Sequence, residues 1–182
     1  WDTGGNEEVS QGSIFEQFSK DLDRTVSAGE THDDVRFGDV ESEFTRADQT
    51  IEAEYRVPYL AHAPMEPLNC TAWLHDGLCE IWTGSQNPLG FRAAVASALE
   101  MESAKVLVHN AYLGGGFGRR FVPDYAVQAA RIAQAIDAPV QLVWSREEDV
   151  RQDRYRPAVT SRFKAALDSS GVVRAWTNQY VG

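Results

Sequence analysis

Tyr112-Leu-Gly-Gly-Gly-Phe-Gly-Arg-Arg120 is the stretch on which the reading of this chain turns. An apolar run, Val106-Leu-Val-His-Asn-Ala-Tyr112, leads into it, and Pro123-Asp124 opens an alanine-rich helical pattern after it. The segment predicts a strand, then a loop nearly bare of side chains, then a helix start. Glycine tolerates positive φ and lets another group approach the backbone closely. N–H groups ahead of a helix favour an anion, and Arg119 and Arg120 add two fixed cations. Two readings stay open here: a loop that cradles a ligand, or a tight turn with solvated arginines.

Downstream of the loop, the helical pattern runs from Pro123 to about Ile136, with Val122, Ala126, Ala129, Ala133 and Ile136 facing inward. Ala138-Pro139 stops it, Val140 to Trp144 reads as a short buried strand, and Ser145-Arg-Glu-Glu148 is a capping box. Thr160–Leu167 and Val172–Tyr180 flank Asp168-Ser-Ser-Gly171, a hairpin. Upstream, Ile51 to Val57 alternates apolar and polar residues as a half-buried strand does. Asn69–Leu74 and Leu78–Thr83 flank His75-Asp-Gly77, a hairpin signal. Asn87-Pro88 starts a helix with Phe91, Ala94, Val95, Ala98 and Leu99 on one face. Hairpins mixed with crossover helices predict an α+β fold, a layered α/β sandwich on a mixed sheet.

The first 50 residues are polar and weakly periodic. Trp1 to Gly5 reads as a strand end and turn, and Ser13 as the cap of a short helix through Leu22 with Ile14, Phe15 and Phe18 on its apolar face. A linker or domain boundary is expected near 24–44, where few apolar groups anchor the backbone. At 182 residues and 43% hydrophobic, the chain has the composition of a globular protein. A formal net charge of −10 argues against a nucleic-acid partner, although arginines concentrate over 119–164 and predict a locally positive pocket. Cys70 and Cys79 are expected to be buried thiols on adjacent strands. No stretch approaches the roughly twenty apolar residues of a membrane span, and no signal sequence is present. The chain begins with Trp1 and ends at Val181-Gly182 inside an expected strand, so both ends read as cuts through a longer polypeptide.

Residue chemistry narrows the ligand only so far. No Gly-Lys-Ser/Thr follows the glycines, so this is not a phosphate loop of the nucleotide triphosphatase kind. Nor does the spacing match a dinucleotide fingerprint, since Asp137 falls at a helix end. Trp82-Thr-Gly-Ser-Gln-Asn-Pro88 turns a strand end into a helix start, and Gln86 offers both a donor and an acceptor there. Tyr59-Leu-Ala-His-Ala-Pro-Met-Glu-Pro-Leu-Asn69 holds His62 and Glu66, but lacks the third and fourth ligands of a metal site. A rigid loop fitted against another segment is the favoured reading. No serine elbow or activated cysteine is present. The residues by themselves stop at a loop-lined anion or cofactor pocket.

Four ordered blocks together resemble the molybdenum hydroxylases of the xanthine oxidase and aldehyde oxidoreductase type. They are Tyr59-Leu-Ala-His-Ala-Pro-Met-Glu-Pro, Trp82-Thr-Gly-Ser-Gln-Asn-Pro, Gly114-Gly-Gly-Phe-Gly-Arg-Arg and Trp144-Ser-Arg-Glu-Glu-Asp149. The Arg-Arg ending and the His-Ala-Pro-Met-Glu-Pro block look most like the large subunit of isoquinoline 1-oxidoreductase-like enzymes. The resemblance implies that 46–182 is the first, truncated lobe of a molybdopterin-binding domain. Residues 1–45 would be the tail of a hammerhead-like domain and a linker.

The resemblance also implies a molybdopterin cofactor, in its cytosine dinucleotide form, and hydroxylation of aldehydes or N-heterocycles with oxygen from water. Carried over by position, Gln86 would hydrogen-bond an oxo ligand of molybdenum. Gly115, Gly116, Phe117, Gly118 and Arg119 would line the cofactor. No side chain here is expected to ligate the metal. Phe121 stands where some purine-oxidising members carry a substrate-binding glutamate, which speaks against purines; Arg154 or Arg156 would face the substrate side.

The catalytic base, a glutamate, is expected beyond Gly182, and Glu66 is not given that role. Implied partners are the rest of the same large subunit, a small iron–sulfur subunit and an electron acceptor such as a cytochrome. The implied location is the bacterial periplasm or its membrane face, with the cytoplasm as the alternative. By itself the chain is expected to be inactive and cofactor-free, with its loop facing water and poorly ordered, and to self-associate through exposed apolar surface. The competing reading is a non-catalytic scaffold that keeps the fold without the cofactor.

Overall fold

The computed structural model describes residues 9–28 and 35–182, with the side chains of all but 25–28. The strand end and turn expected over 1–5 lie outside the described residues. In chain order the elements are helices α1 (Gln11–Ala28) and α2 (Val40–Arg46), then strands β1 (Gln49–Val57), β2 (Asn69–His75) and β3 (Leu78–Thr83). Helix α3 (Pro88–Ala98), strand β4 (Val106–Asn110), helix α4 (Asp124–Ile136) and strand β5 (Val140–Val143) follow. Helix α5 (Arg146–Arg151) and strands β6 (Val159–Leu167) and β7 (Val173–Val181) complete the order. Short 3-10 turns occupy Ser103–Lys105 and Arg119–Phe121.

The chain divides into two compact units, Trp1–Leu60 with Arg156–Gly182, and Ala61–Tyr155. The first is discontinuous because β1 finds its hydrogen-bonding partner in β6, giving an antiparallel sheet of order β1-β6-β7. Helix α1 begins earlier and ends later than its apolar face suggests. Ser10 and Ser13 exchange side-chain-to-backbone bonds, Ser13 N–H to Ser10 Oγ at 3.1 Å and Ser10 N–H to Ser13 Oγ at 2.9 Å. Ser10 is therefore the cap and Ser13 its reciprocal partner. Phe15 and Leu22 are buried as expected, with Ile14 and Phe18 half-buried.

Both ends of the expected linker over 24–44 are helical, since α1 continues to Ala28 and α2 starts at Val40 under an Asp39 cap; residues 29–34 lie outside the described residues. Strand β1 alternates in sequence, yet Ile51, Tyr55 and Val57 are 48%, 59% and 49% exposed. The strand period fixes which residues share a face. Covering that face takes another layer, and none of the described residues of this unit supplies one.

The second unit is a four-stranded mixed sheet of order β4-β3-β2-β5, with β3 and β4 parallel and the other pairs antiparallel. The β2–β3 hairpin turns on Asp76 and Gly77, both at positive φ (49° and 76°), the geometry that Asp-Gly favours. Helix α3 supplies the crossover that a parallel β3–β4 pair requires. Asn87 caps it by accepting from Gly90 N–H at 3.1 Å. Helix α4 presses a stripe of Ala126, Ala129, Ala130 and Ala133 into a core with Cys70, Ile81, Phe91 and Val95. Ile136 does not join them and is 59% exposed; Tyr125 takes the inward position.

Strand β5 is also less buried than expected, because it forms the sheet edge and only Val140 and Leu142 are half-buried. Cys70 and Cys79 are free, buried thiols on adjacent strands. Burial pushes Cys70 up to about 12, helped by the charge of Cys79, and Cys79 up to about 11. The expected layered α/β arrangement on a mixed sheet is thus present.

Candidate functional site

Two strand ends of the second unit, β3 and β4, run out beside each other, and each continues into a loop that the sequence singled out. After β3, the Gly84-Ser-Gln86 turn is fixed from several sides. Ser85 N–H donates to Asn110 Oδ1 at 2.8 Å, Gln86 N–H to the Arg120 carbonyl at 3.0 Å, and the Tyr125 hydroxyl to the Gly84 carbonyl at 2.9 Å. After β4, the glycine loop returns past this turn. Gly118 N–H donates to Gln86 Oε1 at 3.0 Å. Only the oxygen of a carboxamide accepts from an N–H, so Gln86 is held with its NH2 end outward. That Nε2 has no hydrogen-bond partner among the described residues.

The loop itself is anchored, contrary to the expectation that it would be poorly ordered. Glu66 grips its first arm: Gly114 N–H donates to Glu66 Oε2 at 2.8 Å, and Glu66 N–H to the Gly114 carbonyl at 3.1 Å. Arg120 Nε donates to the Gly115 carbonyl at 2.8 Å, and its NH2 reaches Glu66 Oε2 at 2.9 Å. The His- and Pro-rich segment is the fitted partner loop anticipated above, with Pro64 buried.

Glycine is required at two places for different reasons. A Cβ on Gly114 would lie 2.4 Å from Glu66 Cβ, and Gly118 has φ +99°. Phe117, between them in the turn, accepts φ 51° with its ring 62% exposed. The N–H groups of Gly115 and Gly116 donate to no acceptor among the described residues, although Gly116 is buried.

Arg119 and Arg120 correct the sequence expectation. Their side chains are fully buried and compensated, so neither guanidinium faces a ligand as a free cation. Arg119 forks onto Asp124 at 2.8 and 3.1 Å and lies 5.5 Å over the Trp144 ring. Its Nε stands 3.2 Å from Asp153 Oδ1 without the alignment of a hydrogen bond, which makes that contact a charge pairing. The two arginines fold back onto Glu66, Asp124 and Asp153, which compensate their charge.

Sequence reasoning missed the contributions of Tyr125, Asp124 and Asp153. The signal available was weak, a tyrosine among inward alanines and two carboxylates within reach of an arginine pair. Nearby, burial raises Asp149 above the ordinary aspartate value, partly offset by the charges of Arg146 and Arg119.

The remaining sequence-predicted residues are placed as follows. His62 and Glu66 do not act together: His62 pairs with Asp153, and Glu66 with Asn69, Gly114 and Arg120. Among the described residues no group of three or more His, Cys, Asp or Glu is arranged to hold a metal ion. Phe121 ends the 3-10 turn beside the loop, 59% exposed, and Arg154 follows α5 with its N–H on Asp153 Oδ1 at 2.7 Å. Arg156 belongs to the other unit, where its backbone bridges Leu60. What the loop offers chemically is a set of hydrogen-bond donors around a stretch closed to side chains.

Comparison with known proteins then gives this geometry a context. The chain is 34% identical over 161 residues to isoquinoline 1-oxidoreductase subunit beta from Brevundimonas diminuta, which covers 86% of this chain and 20% of that protein. It is 33% identical over 141 residues to a membrane-bound aldehyde dehydrogenase (pyrroloquinoline-quinone) from Gluconacetobacter polyoxogenes, covering 77% of this chain and 18% of the relative. The chain thus spans about a fifth of the length of these curated relatives. Among solved structures, aldehyde oxidoreductase from Desulfovibrio gigas superimposes with a TM-score of 0.69 at 26% identity, covering 79% of this chain and 16% of that one. The family model described as molybdopterin cofactor-binding domain matches residues 22–182. With a family match of that extent, and with Gln86 and the glycine loop brought together as above, the chain belongs to the molybdopterin cofactor-binding domain family, homologous to the large subunits of xanthine oxidase and aldehyde oxidoreductase type enzymes.

Proposed function

We propose that this chain forms one wall of the molybdopterin site in a molybdenum hydroxylase that oxidises aldehydes or N-heterocycles with oxygen taken from water. The observation that carries the reading is the Gly118–Gln86 bond, which turns a carboxamide NH2 outward beside a glycine loop. The residues present fit the group. Gly115 and Gly116 offer N–H groups without acceptors among the described residues, and a Cβ at Gly116 would meet Gln86 Oε1 at 2.7 Å. A surface of donors with no room for side chains suits a cofactor rich in oxo and phosphate oxygens.

When bound, the cofactor supplies the two-electron redox chemistry. The chain's own residues would hold and orient it: Gln86 Nε2 would donate to an oxygen of the group, and the backbone of Gly115, Gly116, Phe117 and Gly118 would line it. Arg119 supports the turn from within through Asp124 and Asp153. Phe121 and Arg154 are proposed for the substrate side. In this reading no side chain of the chain ligates the metal, and the proton-abstracting glutamate belongs to sequence beyond Gly182.

The identity to an isoquinoline 1-oxidoreductase subunit favours N-heterocycles or aldehydes, and Phe121, standing where a purine-binding glutamate would be, speaks against purines; a cytosine dinucleotide form of the cofactor belongs to the same reading. We assign as partners the rest of the large subunit, a small iron–sulfur subunit and an acceptor such as a cytochrome. The periplasm or its membrane face is the assigned location, with the cytoplasm as the alternative. No helix among the described residues is long and apolar enough to cross a membrane.

The test is made on the complete complex matured in a cofactor-competent host. Molybdenum and pyrroloquinoline quinone are quantified together, because the Gluconacetobacter protein's name gives the quinone. Oxygen incorporation from labelled water into an aldehyde or N-heterocycle is then followed. Molybdenum near one per subunit and labelled product are expected. A complex in which Gln86→Ala or Gly118→Val keeps full molybdenum and full turnover would remove the site assignment.

A further inference from the structure

His62 lies in the segment between β1 and β2, and none of the roles assigned above uses its ring. Its backbone N–H and its ring Nδ1 both address Asp153, with Nδ1 at 3.0 Å from Oδ1 and 3.1 Å from Oδ2. The Asp153 side chain is 2% exposed and also faces Arg119 Nε at 3.2 Å and the Arg154 N–H at 2.7 Å. A carboxylate facing that many donors accepts and does not donate. Nδ1 therefore carries the hydrogen, and in the neutral ring Nε2 is left as a lone-pair acceptor.

The side chain of His62 is nine-tenths buried, 10% exposed, and Nε2 has no hydrogen-bond partner among the described residues. That nitrogen stands 3.8 Å from the position a Cβ would take on Gly118. Gly118 thus meets Gln86 through its N–H and faces His62 on the side where a Cβ would stand. A ring held by a buried carboxylate through Nδ1 presents Nε2 at one fixed place, the arrangement by which a carboxylate behind the ring orients a ligand-facing histidine.

Resting on the reading that the glycine loop faces the molybdopterin cofactor, we propose that His62 is a ligand-contacting residue of that site. Its Nε2 would accept a hydrogen bond from an N–H of the bound cofactor, on the same stretch of loop where Gln86 presents a donor. Asp153 is the positioning residue that fixes the ring. The pair gives the loop one acceptor among its donors, and so a preference for one orientation of the bound group.

The experiment uses the matured complex with two substitutions. His62→Asn places an NH2 where Nδ1 stands, keeps the Asp153 bond and leaves nothing at the Nε2 position. His62→Gln reaches the Nε2 position with its carboxamide and gives up the Nδ1 contact. The readouts are the rate of molybdenum loss after dilution and the melting temperature of the cofactor-free protein. We expect His62→Asn to lose molybdenum about ten-fold faster than the unmodified complex, the effect of one lost hydrogen bond. Its cofactor-free melting temperature should stay within about 2 °C, and His62→Gln should lose molybdenum more slowly than His62→Asn. Unchanged release in His62→Asn overturns this inference and leaves the cofactor reading intact. Faster release matched by a lowered cofactor-free melting temperature makes His62 structural and also overturns it. An unmodified complex without molybdenum overturns the cofactor reading and this inference with it.

Discussion

The backbone N–H of Gly118 points at Oε1 of Gln86 across 3.0 Å, joining two loops that lie 32 residues apart in the chain. Because the carboxamide oxygen is used in this bond, the orientation of the amide is fixed by the fold before any ligand arrives. Such preorganisation matters most where a donor must stand at one place.

Gly116 shows how narrow that arrangement is. A Cβ there would lie 2.7 Å from Gln86 Oε1 and 2.8 Å from its Cδ, while its backbone is not in the left-handed region. Gly116→Ala should therefore turn the Gln86 side chain away without straining the main chain. The expected stability change is below about 1 kcal/mol, whereas molybdenum retention by the complex should fall about ten-fold. Chemical denaturation and metal analysis on the same preparation check both halves. A large loss of stability would show that the glycine serves the fold instead.

Arg120 is the opposite case, a residue buried for structure. It donates to the Gly115 carbonyl and to both the carbonyl and the carboxylate of Glu66. Arg120→Met keeps apolar volume and removes every one of these bonds, so the loop loses its inner support. Removing one partner of a buried pair costs about 3–5 kcal/mol, and the lower end applies because Glu66 is 38% exposed and partly screened. Urea unfolding should show the loss, and a change under about 1 kcal/mol would contradict the assigned role.

Glu66 gives the loop a pH dependence. Burial pushes its carboxyl up, but hydrogen bonds from Asn69 and Gly114 and the charge of Arg120 outweigh that and hold it below the ordinary value. The folded value is lower than the unfolded one. Its contribution is therefore present above the unfolded value of about 4.3 and is lost as the pH falls through the folded value. The amide resonance of Gly114 should titrate with a midpoint below about 4.3, and the transition should vanish in Glu66→Gln. A midpoint above that value would mean that the loop does not favour the charged carboxylate.

Cys70 and Cys79 should be inert in the folded protein. With burial holding their thiols at about 12 and about 11, almost no thiolate exists near neutral pH. A thiol reagent at about pH 8 should label neither cysteine until denaturant is added, then both. Rapid labelling of either one in the native state would place it in an open part of the structure.

Within the chain, the sequence by itself determined every element whose signal is local. Asp-Gly at 76–77 fixes a turn through two positive-φ positions, Asn87-Pro88 fixes a helix start, and the alanines of α4 fix close packing on the sheet. Glycine content marked the loop, and the resemblance of the neighbouring strand-end turn to a known motif singled out Gln86.

What only the tertiary structure decided depends on partners far apart in sequence. The direction of Arg119 and Arg120 is one example: two adjacent cations read as a charged rim, but Glu66, Asp124 and Asp153 draw them inside. The half-exposed face of β1 is another, because period-two alternation says which residues share a face and not whether a layer covers it. The tautomer of His62 is a third, set by a carboxylate 91 residues away. Local sequence fixes backbone conformation through φ preference and hydrogen-bond closure within a few residues. Charge compensation and side-chain orientation are settled only when the folded chain brings the compensating groups into contact.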